Sequence, residues 1–134
     1  AKKTENSKMY ILNIGENNIK ELGLKIILNI IEKKEELIKN SDVKYFDYDK
    51  IKGDICIRFR TDGDRFMPLG MSGEKKLKDL FIDLKIEREK RDKIPLICFG
   101  DTIAWVYNYR ISDKFKLDKN SKKILEIKFE SEDI

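Results

Sequence analysis

A chain of 134 residues, 40% charged and 40% apolar, describes one domain with a densely charged surface around an ordinary core, not a disordered tail. A net charge of +4 creates no global basic field, so any affinity for nucleic acid must come from local clustering of cations. The chain has no histidine and no CxxC pair, which argues against a zinc site and against a histidine acid–base centre, and it is short for a complete ATP-using enzyme.

The polar stretch ahead of Met9 begins at Ala1 and reads as a linker or expression remnant (1–8) before a domain over 9–134, cut from something larger. No secretory signal and no apolar run of membrane-spanning length is present, which points to the cytoplasm and to no membrane partner. Met9–Ile14 alternates enough for a strand, and Gly15–Asn18 has the composition of a turn. Leu24–Ile31, rich in isoleucine, predicts a strand, with a helix running on to Lys39 as its rival. Asp42–Ile51, with Tyr45, Phe46 and Tyr48, predicts a short strand ending in a turn.

Ile55–Arg60 alternates clearly and puts Cys56, Arg58 and Arg60 on one face. The two arginines either project into solvent or are pinned by Asp62 and Asp64, and pinning is favoured. Cys56 and Cys98, each inside an apolar run, read as buried structural thiols. A loop with Gly63, Asp64, Pro68, Gly70 and Gly73 then leads into the firmest predicted helix, Glu74–Lys85. Leu77, Leu80, Phe81 and Leu84 form its buried stripe, Lys75, Lys78 and Lys85 flank the stripe, and Ser72 or Gly73 serves as N-cap. Backbone amides of such a loop, at a helix start, can seat an anion. The segment GMSGEKK nevertheless misses the GxxxxGK[ST] phosphate-loop pattern.

Glu87–Lys93 predicts a short helical turn ended by Ile94-Pro95, and Leu96–Phe99, Ile103–Val106 and Ile124–Phe129 predict three further strands. About six short strands with one good helix argue for an α+β domain. Arg65–Lys93 holds nine Lys or Arg against six Asp or Glu, while 1–64 holds thirteen against twelve and 94–134 seven against seven. The positive excess therefore concentrates on the segment carrying Arg65, Lys75, Lys76, Lys78, Lys85, Arg88 and Arg91. The carboxylate pairs Asp62/Asp64 and Asp79/Asp83 each sit near a cation, Asp79 four residues after Lys75, so a helix-surface ion pair or a loop-fixing hydrogen bond is their expected role, and nothing assembles a catalytic constellation.

The ordered string Arg58, Arg60, Gly63-Asp64-Arg65-Phe66, Pro68, Gly70, Lys75-Lys76-Leu77-Lys78-Asp79, Arg88, Arg91-Asp92, Pro95, Trp105-Val106 and Arg110-Ile111 resembles the C-terminal domain of bacterial tRNA(Ile)-lysidine synthetase. ELGLKI and YFDYDKI fit the front of the same domain, so the resemblance covers nearly the whole chain. It departs where the family usually has proline at Glu87 and glycine at Asn108, although asparagine tolerates the left-handed conformation such a turn requires.

The resemblance implies a β-rich, sandwich-like fold with a main amphipathic helix at its edge, similar to a domain of the phenylalanyl-tRNA synthetase β chain. It implies a noncatalytic domain gripping a tRNA(Ile) with a CAU anticodon, a task that the clustered cations Arg65, Lys75, Lys76, Lys78, Lys85, Arg88 and Arg91 would suit. The parent enzyme would then use ATP and magnesium, in an N-terminal domain with an SGGxDS loop that this chain lacks, to attach lysine to C2 of the wobble cytidine. Its implied partners are tRNA and the remaining domains of the parent. A homodimerisation or interdomain scaffold, using aromatics such as Tyr107 and Tyr109, is the alternative.

Overall fold

Alternating apolar residues draw the core of this chain into strands. The structure, a computed structural model, describes residues 8–32 and 36–131. The linker reading over 1–7 and residues 33–35 of the helical alternative to Leu24–Ile31 lie outside them. The chain forms two compact units, one from Gly53–Lys114 with the chain up to Ile11, the other from Leu12–Lys52 with the chain from Phe115 on.

In the first unit, five strands, β1 (Met9–Leu12), β5 (Ile55–Arg58), β8 (Leu96–Phe99), β9 (Thr102–Val106) and β10 (Arg110–Ile111), lie in the order β1-β5-β8-β9-β10. Two short strands, β6 (Arg65–Phe66) and β7 (Lys75–Lys76), form a separate antiparallel ribbon. Helix α1 (Leu77–Asp83) buries Leu77, Leu80 and Phe81 in a cluster with Cys56, Leu96, Cys98 and Val106 of the five-stranded sheet. Helix α2 (Arg88–Arg91) follows, and Ile86 and Ile94 on either side of it complete that cluster. Cys56 and Cys98 are free, buried and opposite each other in the β5–β8 register. The hydrogen bond from Cys98 pulls the Cys56 thiol down to about 7 against the effect of its burial, with the Arg58 charge helping. The same bond, then burial, pushes Cys98 up.

In the second unit, β2 (Gly15–Ile19), β3 (Leu24–Glu32), β11 (Lys123–Ser131) and β4 (Val43–Asp47) lie in the order β2-β3-β11-β4. β3 and β11 pair along their full length, from Lys123 opposite Glu32 to Ser131 opposite Leu24. Ile26, Leu28, Phe46, Ile124, Leu125 and Ile127 are buried there. The buried Asp47 carboxylate accepts a 2.7 Å hydrogen bond from Ser121 Oγ and a 3.1 Å bond from the Asp49 amide, so its burial is compensated.

Three expectations change. Gly15–Asn18 is not a turn but most of β2, because its backbone pairs with Lys25–Leu28. The reversal falls earlier, where the Asn17 side chain accepts from the Asn13 amide and donates to the Asn13 carbonyl. The strand from Ile55 ends at Arg58, two residues short of the prediction.

The main helix starts at Leu77, not Glu74, because Lys75 and Lys76 are taken into the ribbon opposite Phe66 and Arg65. Lys76, not Ser72 or Gly73, occupies the N-cap position, with no side-chain cap bond. The helix also ends before Lys85. The Ile86 amide donates to the Phe81 carbonyl and the Lys85 amide to the Ile82 carbonyl, a Schellman closure with Lys85 at φ 57°. Helical spacing cannot place Lys75 and Lys85 on one flank when neither lies in the helix. Asn108 does adopt the left-handed conformation, at φ 73°, and Glu87 sits at φ −59°, where proline would be unstrained.

A lysine in the left-handed region is strained by its Cβ, and glycine there is not. Lys85→Gly is expected to stabilise the protein by about 0.5–1 kcal/mol, read as a higher midpoint in urea with an unchanged slope.

Candidate functional site

Arg58 is the last residue of β5, and its guanidinium reaches over the following loop to Asp64. Nη1 donates to Asp64 Oδ2 and Nη2 to Oδ1, both at 3.0 Å, a bidentate pair whose side chains are only 15% and 11% exposed. Burial, the largest influence, opposes the Arg58 charge, but the hydrogen bond to Asp64 and the neighbouring charges together raise the arginine above its ordinary value. Asp64 also accepts from the Thr61 amide at 2.9 Å, and its main-chain carbonyl accepts from the Leu77 amide at 2.9 Å. One aspartate therefore joins the sheet, the Asp62-Gly63 turn and the first residue of α1. Gly63 turns at φ 86° with open space around it, so its backbone conformation is what demands glycine.

The rest of the loop is pinned along Ile111–Asp113. The Leu69 amide donates to the Ile111 carbonyl at 3.0 Å, the Asp113 amide to the Met67 carbonyl at 2.9 Å, and the Gly70 amide to Asp113 Oδ1 at 2.9 Å. Pro68 is buried and bridges Ser112. Gly70 turns at φ 88°, whereas Gly73 has no positive φ and faces open space.

Between this loop and the two helices lies an open groove of about 650 Å³. Arg60, Thr61, Asp62, Gly63, Asp64 and Arg65 form one side, Lys76, Leu77, Lys78 and Asp79 another, and Arg88 and Arg91 a third. Of the seven cations singled out in the sequence, the groove gathers Arg65, Lys76, Lys78, Arg88 and Arg91, and leaves out Lys75 and Lys85. Lys75 is drawn into an ion pair with Asp83. The expected pairing of Lys75 with Asp79 therefore does not form.

The groove's cations divide into held and open ones. Arg60 pairs with Asp92 at 2.7 Å and lies 5.7 Å from the Phe81 ring centre, so it ties the end of the strand to both helices. Arg91 Nε donates to the Ile86 carbonyl at 2.9 Å. Arg65 is tethered to Glu74 at 3.4 Å, and Glu74 also accepts from Lys114 at 2.6 Å. Lys114 first, then Arg65, holds the Glu74 carboxyl below its usual range, so this exposed tether survives mild acid and loosens as pH falls through the lowered value. Among the described residues, Lys76, Lys78 and Arg88 are exposed, line the groove and have no ion pair.

Of the amides at the helix start, that of Leu77 is not open to an anion. α1 is seven residues long, and its Leu77 amide is already bonded to the Asp64 carbonyl. What the groove offers instead is side-chain charge. The sequence reading missed the Arg60–Asp92 tie, which joins residues far apart in the chain, and passed over Asp62 and Asp79 as groove residues. Tyr109 is exposed, while Tyr107 is half-buried with its ring edge-on to Trp105. Among the described residues no group of three or more His, Cys, Asp or Glu could hold a metal ion, and no helix is long and apolar enough to cross a membrane.

Residues 55–128 match the family of the TilS substrate C-terminal domain. The chain is 54% identical to the tRNA(Ile)-lysidine synthase of Clostridium tetani over 93% of its own length and 27% of the relative. It is 53% identical to that of Clostridium acetobutylicum over 99% of its own length and 28% of the relative. It thus spans just over a quarter of the length of each of these two relatives. Among solved structures, a TILS C-terminal domain superposes with a TM-score of 0.77 at 24% identity, covering 96% of this chain and 99% of that one. An N-terminal fragment of the phenylalanyl-tRNA synthetase β-subunit from Pyrococcus horikoshii gives 0.54 at 18% identity, over 65% and 27%. These two likenesses establish the sheet-dominated fold with one main helix.

Removing the Asp64 charge strands a half-buried guanidinium and frees the loop. Asp64→Asn is expected to cost about 2–3 kcal/mol in urea unfolding, whereas Asp62→Asn in the same turn should change stability by less than about 0.5 kcal/mol. Equal effects would show that the pair does not anchor the loop.

Proposed function

Because the chain belongs to the family of C-terminal domains of tRNA(Ile)-lysidine synthases, we propose that it grips the transfer RNA of such an enzyme and performs no chemistry itself. The observation that carries this reading is the groove in which Lys76, Lys78 and Arg88 lie open, with Arg65 on a weak surface tether beside them. A-form RNA hides its bases in a deep, narrow major groove, so a protein that holds a tRNA body works mainly through phosphates, 2′-hydroxyls and shape. Flexible lysines and a planar arginine on one concave face suit a curved sugar–phosphate ribbon. Such contacts position the substrate without reading its sequence.

In this reading the parent enzyme binds a tRNA(Ile) with a CAU anticodon and uses ATP to join lysine to C2 of the wobble cytidine. The groove's role is to hold the tRNA while that reaction proceeds elsewhere in the protein, in the cytoplasm. Residues 9–134 form the gripping domain, and 1–8 lead into it. The residues present here do not fit ATP or magnesium. The chain lacks the SGGxDS and GxxxxGK[ST] loops, and its groove carboxylates are dispersed among cations.

Phosphate contacts release counterions, so affinity should fall with salt on a log–log slope of roughly −2 to −3 if about three phosphates are engaged. Lys78→Glu with Arg88→Glu should weaken tRNA binding by more than about tenfold and flatten that slope by roughly one to two. Lys75→Glu should change affinity much less, since Lys75 faces Asp83 and lies outside the groove. Filter binding or fluorescence anisotropy across a salt series measures all three. Salt-insensitive binding, or an equal loss with Lys75→Glu, would contradict the groove as the RNA seat.

A further inference from the structure

The groove is not uniformly cationic: three carboxylates line it, and only Asp64 is engaged. Asp62, in the turn beside Gly63, and Asp79, in the first turn of α1, are both exposed. Among the described residues neither makes an ion pair or a side-chain hydrogen bond, although three unpaired cations line the same groove. The groove therefore presents two open acceptors alongside its open cations, and does not neutralise one with the other.

Phosphate has no use for a carboxylate. An ionised Asp can only accept hydrogen bonds, and a phosphodiester offers it none to accept. In a surface serving phosphate alone, Asp62 and Asp79 would repel the ligand and weaken the cations beside them. They become useful if the ligand carries donors between its phosphate ribbons. The wide, shallow minor groove of an A-form stem does so, displaying 2′-hydroxyls throughout and the exocyclic N2 amino group at every guanine.

We propose that Asp62 and Asp79 are specificity-determining residues that accept hydrogen bonds from donors in the minor groove of a helical RNA stem. This inference rests on the RNA-gripping reading of the groove. The cations would set how tightly any RNA binds, and the two carboxylates would select a stem that presents a 2′-hydroxyl or a guanine amino group at their positions. The same pair disfavours polyanions that lack those donors, because against them the carboxylates only repel.

The test uses the full-length protein and three RNA hairpins with the same G·C stem: unmodified, with inosine for guanosine, and with 2′-fluoro for 2′-hydroxyl. Inosine removes only the N2 amino group, and fluorine removes the hydroxyl donor while keeping A-form geometry. The protein is expected to bind one of the modified stems about fivefold or more weakly than the unmodified one, naming the donor. Asp79→Ala or Asp62→Ala should lose a similar factor on the unmodified stem and no longer distinguish the two.

A mere solvated carboxylate predicts the opposite sign: each alanine variant would bind all three hairpins equally well or more tightly than the parent, by about two- to threefold. That result overturns the proposal, as does indifference of the unmutated protein to both modifications. Lys78→Glu with Arg88→Glu separates the two levels of the argument. If that variant binds the unmodified hairpin as well as the parent does, the groove is not the RNA seat. If it binds poorly while the alanine variants bind tightly, the groove stands and the carboxylates have no reading role.

Discussion

The bidentate bond between Arg58 and Asp64 is the constraint on which the groove depends. Without it, the Asp62-Gly63 turn would lose the carboxylate that fixes its path, and only the far end of the loop would stay pinned along Ile111–Asp113. With it, the loop leaves the sheet at a set angle, the Thr61 amide closes a turn onto the same carboxylate, and the Asp64 carbonyl takes the first amide of α1. A buried or half-buried ion pair rarely adds much net stability, because desolvation offsets attraction. Its value here is positional: it sets where the loop side and the helix side of the groove stand relative to each other.

Around that anchor, the charged residues divide by whether the protein already uses them. Arg60, Arg91 and Lys75 are spent on Asp92, the Ile86 carbonyl and Asp83, and they shape the site. Lys76, Lys78 and Arg88 have no such commitment, and Arg65 is held at the exposed Glu74 by a 3.4 Å ion pair and a 3.4 Å bond to its main-chain carbonyl. Exposed pairs of that kind are worth about 0–1 kcal/mol, so a phosphate can recruit Arg65 at small cost. The open cations thus act beside a groove in which Asp64 is already neutralised by Arg58, while Asp62 and Asp79 stay open as acceptors.

Much of the fold was legible in the sequence. Ile55–Arg58, Leu96–Phe99 and the long final strand follow from alternation or unbroken apolar runs, and Leu77, Leu80 and Phe81 form the predicted buried stripe. What alternation could not show was pairing between polar segments. Lys75-Lys76 and Gly15–Ile19 are strands only because Arg65-Phe66 and Leu24–Leu28 lie beside them, and neither carries a strand signal of its own. That one misreading moved the helix start and put Lys75 in the wrong place. The pinning of Arg58 was anticipated, but the choice of Asp64 over Asp62, and of Asp92 for Arg60, depends on side-chain reach across a folded surface. Asp79 was assigned an ion pair on helical spacing from Lys75, and it lost that partner once Lys75 left the helix.

The central claim is that a folded RNA lays its backbone into the groove between the Asp64 loop and the starts of the two helices. A structure of the full-length protein bound to its tRNA tests it most directly. The account requires non-bridging phosphate oxygens within about 3.5 Å of at least two of Lys76 Nζ, Lys78 Nζ and the Arg88 guanidinium, with the Arg58–Asp64 pair intact beneath them. A complex in which the RNA lies on another face and these three side chains stay solvated would contradict it.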